Sequence, residues 1–176
     1  MDLITNTEER TLKQYIGIKL IKAEPMTRGE YNDYRGWQIP ENEDPAEKGY
    51  LVEYLDSPNS VHPNHENYIS WSPADVFEEA YRPTSGMTFG LAIEAMKKGY
   101  KVARDGWNGK NMFVVYQKGY PGGIPCNKNT AEAFGYEEGE LFICRPYMQM
   151  RCADGTHQMW LASQSDCLAE DWYIVN

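Results

Sequence analysis

Two stretches of the chain set aromatic rings beside small polar side chains. One is Trp107-Asn-Gly-Lys110; the other is Trp160 followed by Ser163, Gln164, Ser165 and Asp166. An exposed indole offers a flat face on which a planar ring can stack. Amides and hydroxyls both donate and accept, so Asn108, Ser163 and Gln164 suit the polar edges of such a molecule, and the Asp166 carboxylate can accept from them. Lys110, Arg104 and Arg151 are cations near these motifs, and the Asn108-Gly109 turn offers backbone N–H groups. Tyr147, Gln149 and Arg151 alternate and so share one face of a strand, leaving Met148, Met150 and Cys152 for the core face. These residue types suit holding a flat, polar molecule more than cutting one.

Signatures of cleavage chemistry are missing. There is no His-Glu-x-x-His and no Gly-x-Ser-x-Gly, and His157 has no nucleophile beside it in sequence. Pro121-Gly-Gly-Ile-Pro125 is Gly-rich but lacks the Gly-Lys-Ser/Thr ending of a phosphate loop. Asp166 and Glu170, four apart, form the carboxylate pair on which acid–base work could draw. Each binding candidate also has a purely structural reading. Trp107 or Trp160 could be a core residue with its indole N–H satisfied. Ser163-x-x-Asp166 matches a helix-start pattern that would explain both residues by capping alone. Arg151 could be a surface charge, and His62 and His65 part of a solvated loop.

The elements that must position these residues follow from pattern. Two alternating runs flank Asp154-Gly155, a pair suited to a tight hairpin turn. Upstream, Thr88 can cap a helix with Phe89, Ala92, Ile93 and Met96 on one face, closed by Lys97, Lys98 and Gly99. Tyr100–Arg104 and Asn111–Gln117 read as strands around the Asp105–Lys110 turn. Lys118–Leu141 reads as a loop, and a short helix near Asp166–Glu170 precedes a last strand, Trp172–Val175. In the first half, Ile16, Ile18 and Leu20 alternate within a strand over Tyr15–Glu24, ended by Pro25. Residues 1–13 read as a short helix or frayed end, and Met26–Lys48 as loop. Gly49–Asp56 and Tyr68–Trp71 read as strands. Ser72 as N-cap, Pro73 and Asp75 open a helix carrying Val76, Phe77, Ala80 and Tyr81. Arg82-Pro83-Thr-Ser-Gly86 reads as a linker. The expectation is an α+β chain of two small modules, 1–83 and 84–176, each an antiparallel sheet with one main helix.

At 176 residues, with 13 Tyr and 5 Trp, the chain can build a packed core. Of its formal net charge of −9, residues 1–83 carry 8 basic against 16 acidic side chains and residues 84–176 carry 9 against 10. An acidic surface disfavours nucleic-acid polymers, whose binding rests on phosphate neutralisation. The near-neutral second half can still accept a small anion. Four cysteines without a Cys-x-x-Cys pair, and three histidines, lack zinc spacing and imply neither metal nor cofactor. No apolar run approaches a membrane span and no signal peptide opens the chain, so a soluble, cytoplasmic protein is expected.

The second module also resembles a known family. The shared pattern is the helix opening Met87-Thr-Phe, then Lys101-Val-Ala-Arg-Asp-Gly-Trp-Asn-Gly-Lys110, Pro146-Tyr-Met-Gln-Met, Ala153-Asp-Gly and Trp160-Leu-Ala-Ser-Gln-Ser-Asp-Cys-Leu-Ala-Glu-Asp-Trp172. It looks like the Thoeris anti-defence family, type two, of phages and prophages. That resemblance implies a non-enzymatic protein, a tetrameric homo-oligomer, and sequestration of the cyclic ADP-ribose isomer made by bacterial TIR-domain proteins, or of cyclic dinucleotides. For such a ligand Trp107 and Trp160 would stack a base, a contact worth roughly 1–3 kcal/mol. Asn108, Ser163, Gln164 and Asp166 would read base edges and ribose hydroxyls, and Lys110, Arg104 and Arg151 would meet a phosphate. The segment Lys118–Arg145 is longer than the family's short connector. Residues 14–83 resemble a module of phage hypothetical proteins, through Gly17-x-Lys19, Pro25-Met26, Gly49-Tyr-Leu-Val-Glu-Tyr54 and Ser70-Trp-Ser-Pro-x-x-x-Phe77. The expected function is therefore capture of a cyclic nucleotide immune signal in the infected host's cytoplasm. A nucleotide-cleaving enzyme, or an acidic module that blocks a host factor, are the alternatives.

Overall fold

The computed structural model describes residues 14–176, so the helix or frayed end read at residues 1–13 lies outside the described residues. The chain is α+β with antiparallel sheets. It divides into two compact units between Phe77 and Glu78, upstream of the linker read at Arg82–Gly86.

In the first unit β1 (Ile21–Pro25) leads into α1 (Arg28–Arg35), β2 (Gly49–Tyr54) and β3 (Tyr68–Pro73), and the sheet order is β1-β2-β3. The strand expected from Tyr15 begins only at Ile21, which pairs with Tyr54, the last residue of β2. Among the described residues no strand pairs beyond that point, and Ile16 is 95% exposed despite its alternating pattern. The segment from Met26 read as loop holds a helix instead. Thr27 accepts from the Glu30 backbone while the Glu30 carboxylate accepts from the Thr27 N–H, a reciprocal cap, and Gly36 ends α1 in the left-handed region at φ 69°. Its Tyr31 packs with Leu51 and Ile69 to form the core. A Cβ at Gly49 would overlap the Trp71 indole and the Ser72 carbonyl, so only glycine fits there.

Ser72 and Pro73 do not open the next helix. They are the last residues of β3, paired with Tyr50 and Gly49, and Pro73 is tolerated because β3 is an edge strand. Helix α2 (Ala74–Ala80) follows directly, with the Asp75 carboxylate accepting from the Val76 N–H. Its Phe77 stacks on Tyr50 at 4.0 Å. His65, read as solvated loop, is instead held between the Glu53 carboxylate at 3.3 Å and the Tyr34 hydroxyl at 3.0 Å.

In the second unit Thr88 caps α3 (Phe89–Lys97) as its spacing predicts, and β4 (Lys101–Arg104) and β5 (Phe113–Gln117) follow. The stretch read as loop after Lys118 is an ordered arm. It consists of β6 (Tyr120–Pro125), α4 (Lys128–Phe134) and β7 (Leu141–Cys144), with β6 and β7 forming a two-stranded sheet of their own. Asn127 caps α4, and the Cys126 thiol donates to the Glu137 carbonyl at 3.0 Å. Then come β8 (Tyr147–Arg151), β9 (His157–Met159), α5 (Gln164–Cys167) and β10 (Trp172–Val175). The main sheet runs β10-β4-β5-β8-β9. Ala92, Met96, Val102, Val114, Met150 and Trp172 form the core on its α3 side. The lead-in to α3 is stitched to the last strand: Met87 and Trp172 exchange backbone bonds at 2.7 and 3.1 Å, and the Ile174 N–H donates to the Thr84 carbonyl at 3.0 Å. Among the described residues no helix is long and apolar enough to cross a membrane, and no group of three or more His, Cys, Asp or Glu could hold a metal ion.

Candidate functional site

The site grows from the turn between β4 and β5 and from the start of α5. Both are fastened by Arg104, the last residue of β4. Its Nε donates to Asp171 Oδ1 at 2.8 Å and its Nη1 to Asp166 Oδ1 at 2.8 Å. Asp171 also accepts from the Gly106 N–H at 2.9 Å, and the Asp105 N–H donates to the Asp171 carbonyl at 3.2 Å. A Cβ at Gly106 would come within 2.9 Å of that carboxylate, so glycine permits the close approach. Arg104, read from sequence as a free phosphate donor, is thus committed to two carboxylates 62 and 67 residues away. Their hydrogen bonds, Asp171's first, raise its already high pKa.

Asp166 is the centre of this frame and is buried, at 8% exposure. Oδ1 accepts from Trp107 Nε1 at 3.2 Å as well as from Arg104. Oδ2 accepts from the Ser163 N–H at 3.0 Å and the Ser163 hydroxyl at 2.6 Å, while Ser163 Oγ accepts from the Asp166 N–H: the helix-start pattern forms a complete capping box. The Asp166 carbonyl accepts from Trp172 Nε1 at 3.0 Å. Burial pushes the Asp166 carboxyl up, but the donors Ser163, Arg104 and Trp107 together outweigh it and hold the group at about 2. Asp171 is likewise lowered, chiefly by its hydrogen bond to Arg104.

A lowered carboxylate stabilises the fold fully above its unfolded pKa, roughly 3.9, and loses that contribution as pH falls through the folded value. The stabilising effect of Asp166 should therefore fade between about pH 4 and pH 2. Urea midpoints of the wild type and Asp166→Asn should differ most above pH 4 and converge towards pH 2. A constant difference across that window would contradict this assignment.

Around the frame lie four aromatic rings. Trp107 meets Trp160 edge to face at 5.9 Å and Trp172 at 5.4 Å, and Phe89 packs on Trp160 and Trp172 at 6.2 and 5.2 Å. Trp172 is fully buried, whereas Trp107 and Trp160 are half-buried at the margin of the core. Asn108, Lys110, Ser163 and Gln164 are exposed on the adjoining turn and helix start. The structure thus brings together Trp107, Trp160, Ser163 and Asp166, with Asn108, Lys110 and Gln164 on the same two segments.

Tyr147 and Arg151 stand apart. In β8 the side chains of Met148 and Met150 pack in the core with the indoles, so Tyr147, Gln149 and Arg151 face the other side of the sheet. Arg151 Nη1 donates to the Asn111 carbonyl at 2.9 Å, bracing a residue that holds φ 58°. Sequence reasoning missed Asp171 and the true role of Arg104. Arg-Asp-Gly at 104–106 and Glu-Asp-Trp at 170–172 gave no local sign that they meet.

The second unit is thus α+β, with half-buried indoles edged by amides and hydroxyls. Residues 87–175 match the model of the Thoeris anti-defense 2-like domain. The Thoeris anti-defense 2 protein of Bacillus phage SP01 is 39% identical over 94 residues, a stretch covering 51% of this chain and 96% of that relative. The chain belongs to the Thoeris anti-defense 2-like family, a family of phage anti-defence proteins. About half of this chain matches nearly the whole length of that relative.

Proposed function

We propose that residues 84–176 bind and sequester a cyclic nucleotide immune signal, such as the cyclic ADP-ribose isomer made by TIR-domain proteins, without cleaving it. The observation that carries this reading is the pairing of half-buried Trp107 and Trp160 with exposed Asn108, Lys110 and Gln164 on the segments that Arg104 and Asp166 hold in place. The indoles supply base-stacking surface, the amides read polar edges, and Lys110 offers a cation to the pyrophosphate. Asp166 and Ser163 enter as the cap and anchor that position Trp107 and α5. Both carboxylates here are tied to Arg104 and held low, which ill suits them to carry protons near neutral pH.

Tyr147 and Arg151, on the opposite sheet face, join such a site only from another subunit, so the reading includes a homo-oligomer. Exposed apolar side chains support that part: Met159, Leu161 and Leu168 lie near the sheet edge formed by β9 and at α5.

The test is chemical. The protein is incubated with the cyclic ADP-ribose isomer, separated from free ligand, and heat-denatured; the ligand should be recovered intact and in stoichiometric amount. Recovery of a linear product would defeat capture in favour of cleavage. Asn108→Ala and Gln164→Ala should each weaken capture by about three- to ten-fold, while their exposed positions leave stability within about 0.5 kcal/mol of wild type. Calorimetric titration beside urea unfolding separates the two effects.

A further inference from the structure

The first unit contains a cleft of about 510 Å³ that the anti-defence reading of the second unit does not use. That volume falls in the range of small-molecule sites. Its walls are α1, the segment Trp37–Glu43 and the edge strand β3. Four aromatic rings line it: Tyr31, Trp37, Tyr68 and Trp71. Two of them are unusually open for rings of their size, Trp37 at 51% and Tyr68 at 41% exposure.

Two guanidinium groups also line the cleft, and they differ in kind. Arg28 lies 4.3 Å from the Trp71 ring centre and is paired with Glu43 at 2.9 Å and Glu47 at 2.7 Å, so its charge is already met. Arg35 lies 4.1 Å from the Trp37 ring centre, and its Nη1 donates to the Tyr31 hydroxyl at 3.4 Å. Among the described residues no carboxylate lies within ion-pair distance of it. This is the less expected because residues 1–83 hold twice as many acidic as basic side chains. A guanidinium is a flat fork shaped for a carboxylate or phosphate. Here it is laid on an exposed indole at the wall of an aromatic cleft, with its charge unmet by any carboxylate among the described residues.

We propose that this cleft binds a small organic anion built on a flat ring, its single acidic group held by Arg35 and its ring lying among Trp37, Tyr68 and Trp71. One unmet cation calls for one anionic group. The surrounding negative charge disfavours a polyanion such as a nucleic-acid strand. Gln38 and Ser70, which also line the cleft, supply hydrogen bonds to polar substituents on the ring. This site is independent of the capture site in residues 84–176, and either can fail without the other.

Three probes of one size decide the matter on the full chain: 2-naphthoate, 2-naphthyl phosphate and neutral 2-naphthamide. Their binding is followed by indole N–H resonances of the five tryptophans, assigned by single Trp→Phe variants. At least one of the two anions should shift the Trp37 and Trp71 signals and leave Trp107, Trp160 and Trp172 in place, and the tighter of the two identifies the acidic group. The amide should bind about ten-fold or more weakly than that anion. Arg35→Gln should lose about ten-fold in affinity for the anion while leaving the amide unchanged, and Arg35→Lys should fall between, keeping charge but not the fork. Arg35→Lys also serves if Arg35→Gln does not fold. The proposal is overturned if neither anion binds, if the amide binds as tightly as the anions, if the Arg35 variants bind like wild type, or if the shifts fall on Trp107 and Trp160.

Discussion

Replacing Arg104 by methionine is expected to lower the stability of the second unit by about 3–5 kcal/mol, the range for removing one partner of a buried ion pair. Methionine keeps much of the aliphatic length, so the loss isolates the guanidinium. Asp166 would be left with a buried Oδ1 served only by the Trp107 indole, and Asp171 only by the Gly106 N–H. A buried charge so stripped costs more than the intact pair ever contributed. Arg104→Lys should recover part of the loss, because an ammonium can satisfy one carboxylate but cannot span both as a fork does. Urea unfolding followed by tryptophan fluorescence measures this directly. A loss below about 1 kcal/mol would place the pair among weak surface bridges and dissolve the frame described above. On the proposed reading, ligand capture should fall together with stability, since Arg104 helps to hold both the turn carrying Trp107 and the start of α5.

Trp172→Ala should be comparably severe, costing about 3–5 kcal/mol. The ring is fully buried, contacts Phe89, Trp107 and Trp160, and donates its N–H to the Asp166 carbonyl. Alanine would open a cavity and also take away the indole's hydrogen bond, leaving that carbonyl only the longer Ala169 N–H at 3.4 Å and the cap N–H of Leu168. Trp172→Phe keeps most of the area and loses the hydrogen bond, so it should cost about 1–3 kcal/mol. Trp160→Ala gives the informative contrast. Half-exposed and without the Asp166 bond, Trp160 should cost less stability on removal, yet weaken capture by about five-fold or more through lost stacking. If Trp160→Ala bound the ligand as wild type does, the stacking role would belong to another residue. Calorimetric unfolding paired with titration of the cyclic ADP-ribose isomer distinguishes the two tryptophans.

What the sequence made legible was local. Thr88 with the spacing of Phe89, Ala92 and Met96 foretold α3, and Asp154-Gly155 between alternating runs foretold the β8–β9 hairpin. Ser163-x-x-Asp166 announced its capping box. The cap at Thr27-x-x-Glu30 and the stop at Gly36 carried the same kind of signal for α1, but the surrounding Asn, Asp, Glu and Gly favoured a loop by composition. The proline- and glycine-rich run of β6 misled for the same reason. It belongs to a short two-stranded sheet, where missing N–H groups are tolerated at the edges. Nothing local could reveal that Arg104 bridges Asp166 and Asp171, because that bond exists only once β4 and β10 pair. The same holds for His65, whose partners Glu53 and Tyr34 come from β2 and α1. Exposure was the other blind spot. Alternation in Ile16 and Ile18 promised burial that no strand among the described residues provides.

The backbone stitch of Met87 to Trp172, with Thr84 joined to Ile174, has a consequence for how such a module travels between proteins. The lead-in at Thr84–Met87 runs beside the last strand, β10, so the chain between them is closed like a ring with a clasp. A cassette of that kind can be spliced behind another module through one short tether without disturbing its interior. It could equally be permuted, its ends joined across the clasp and reopened in the β6–β7 arm.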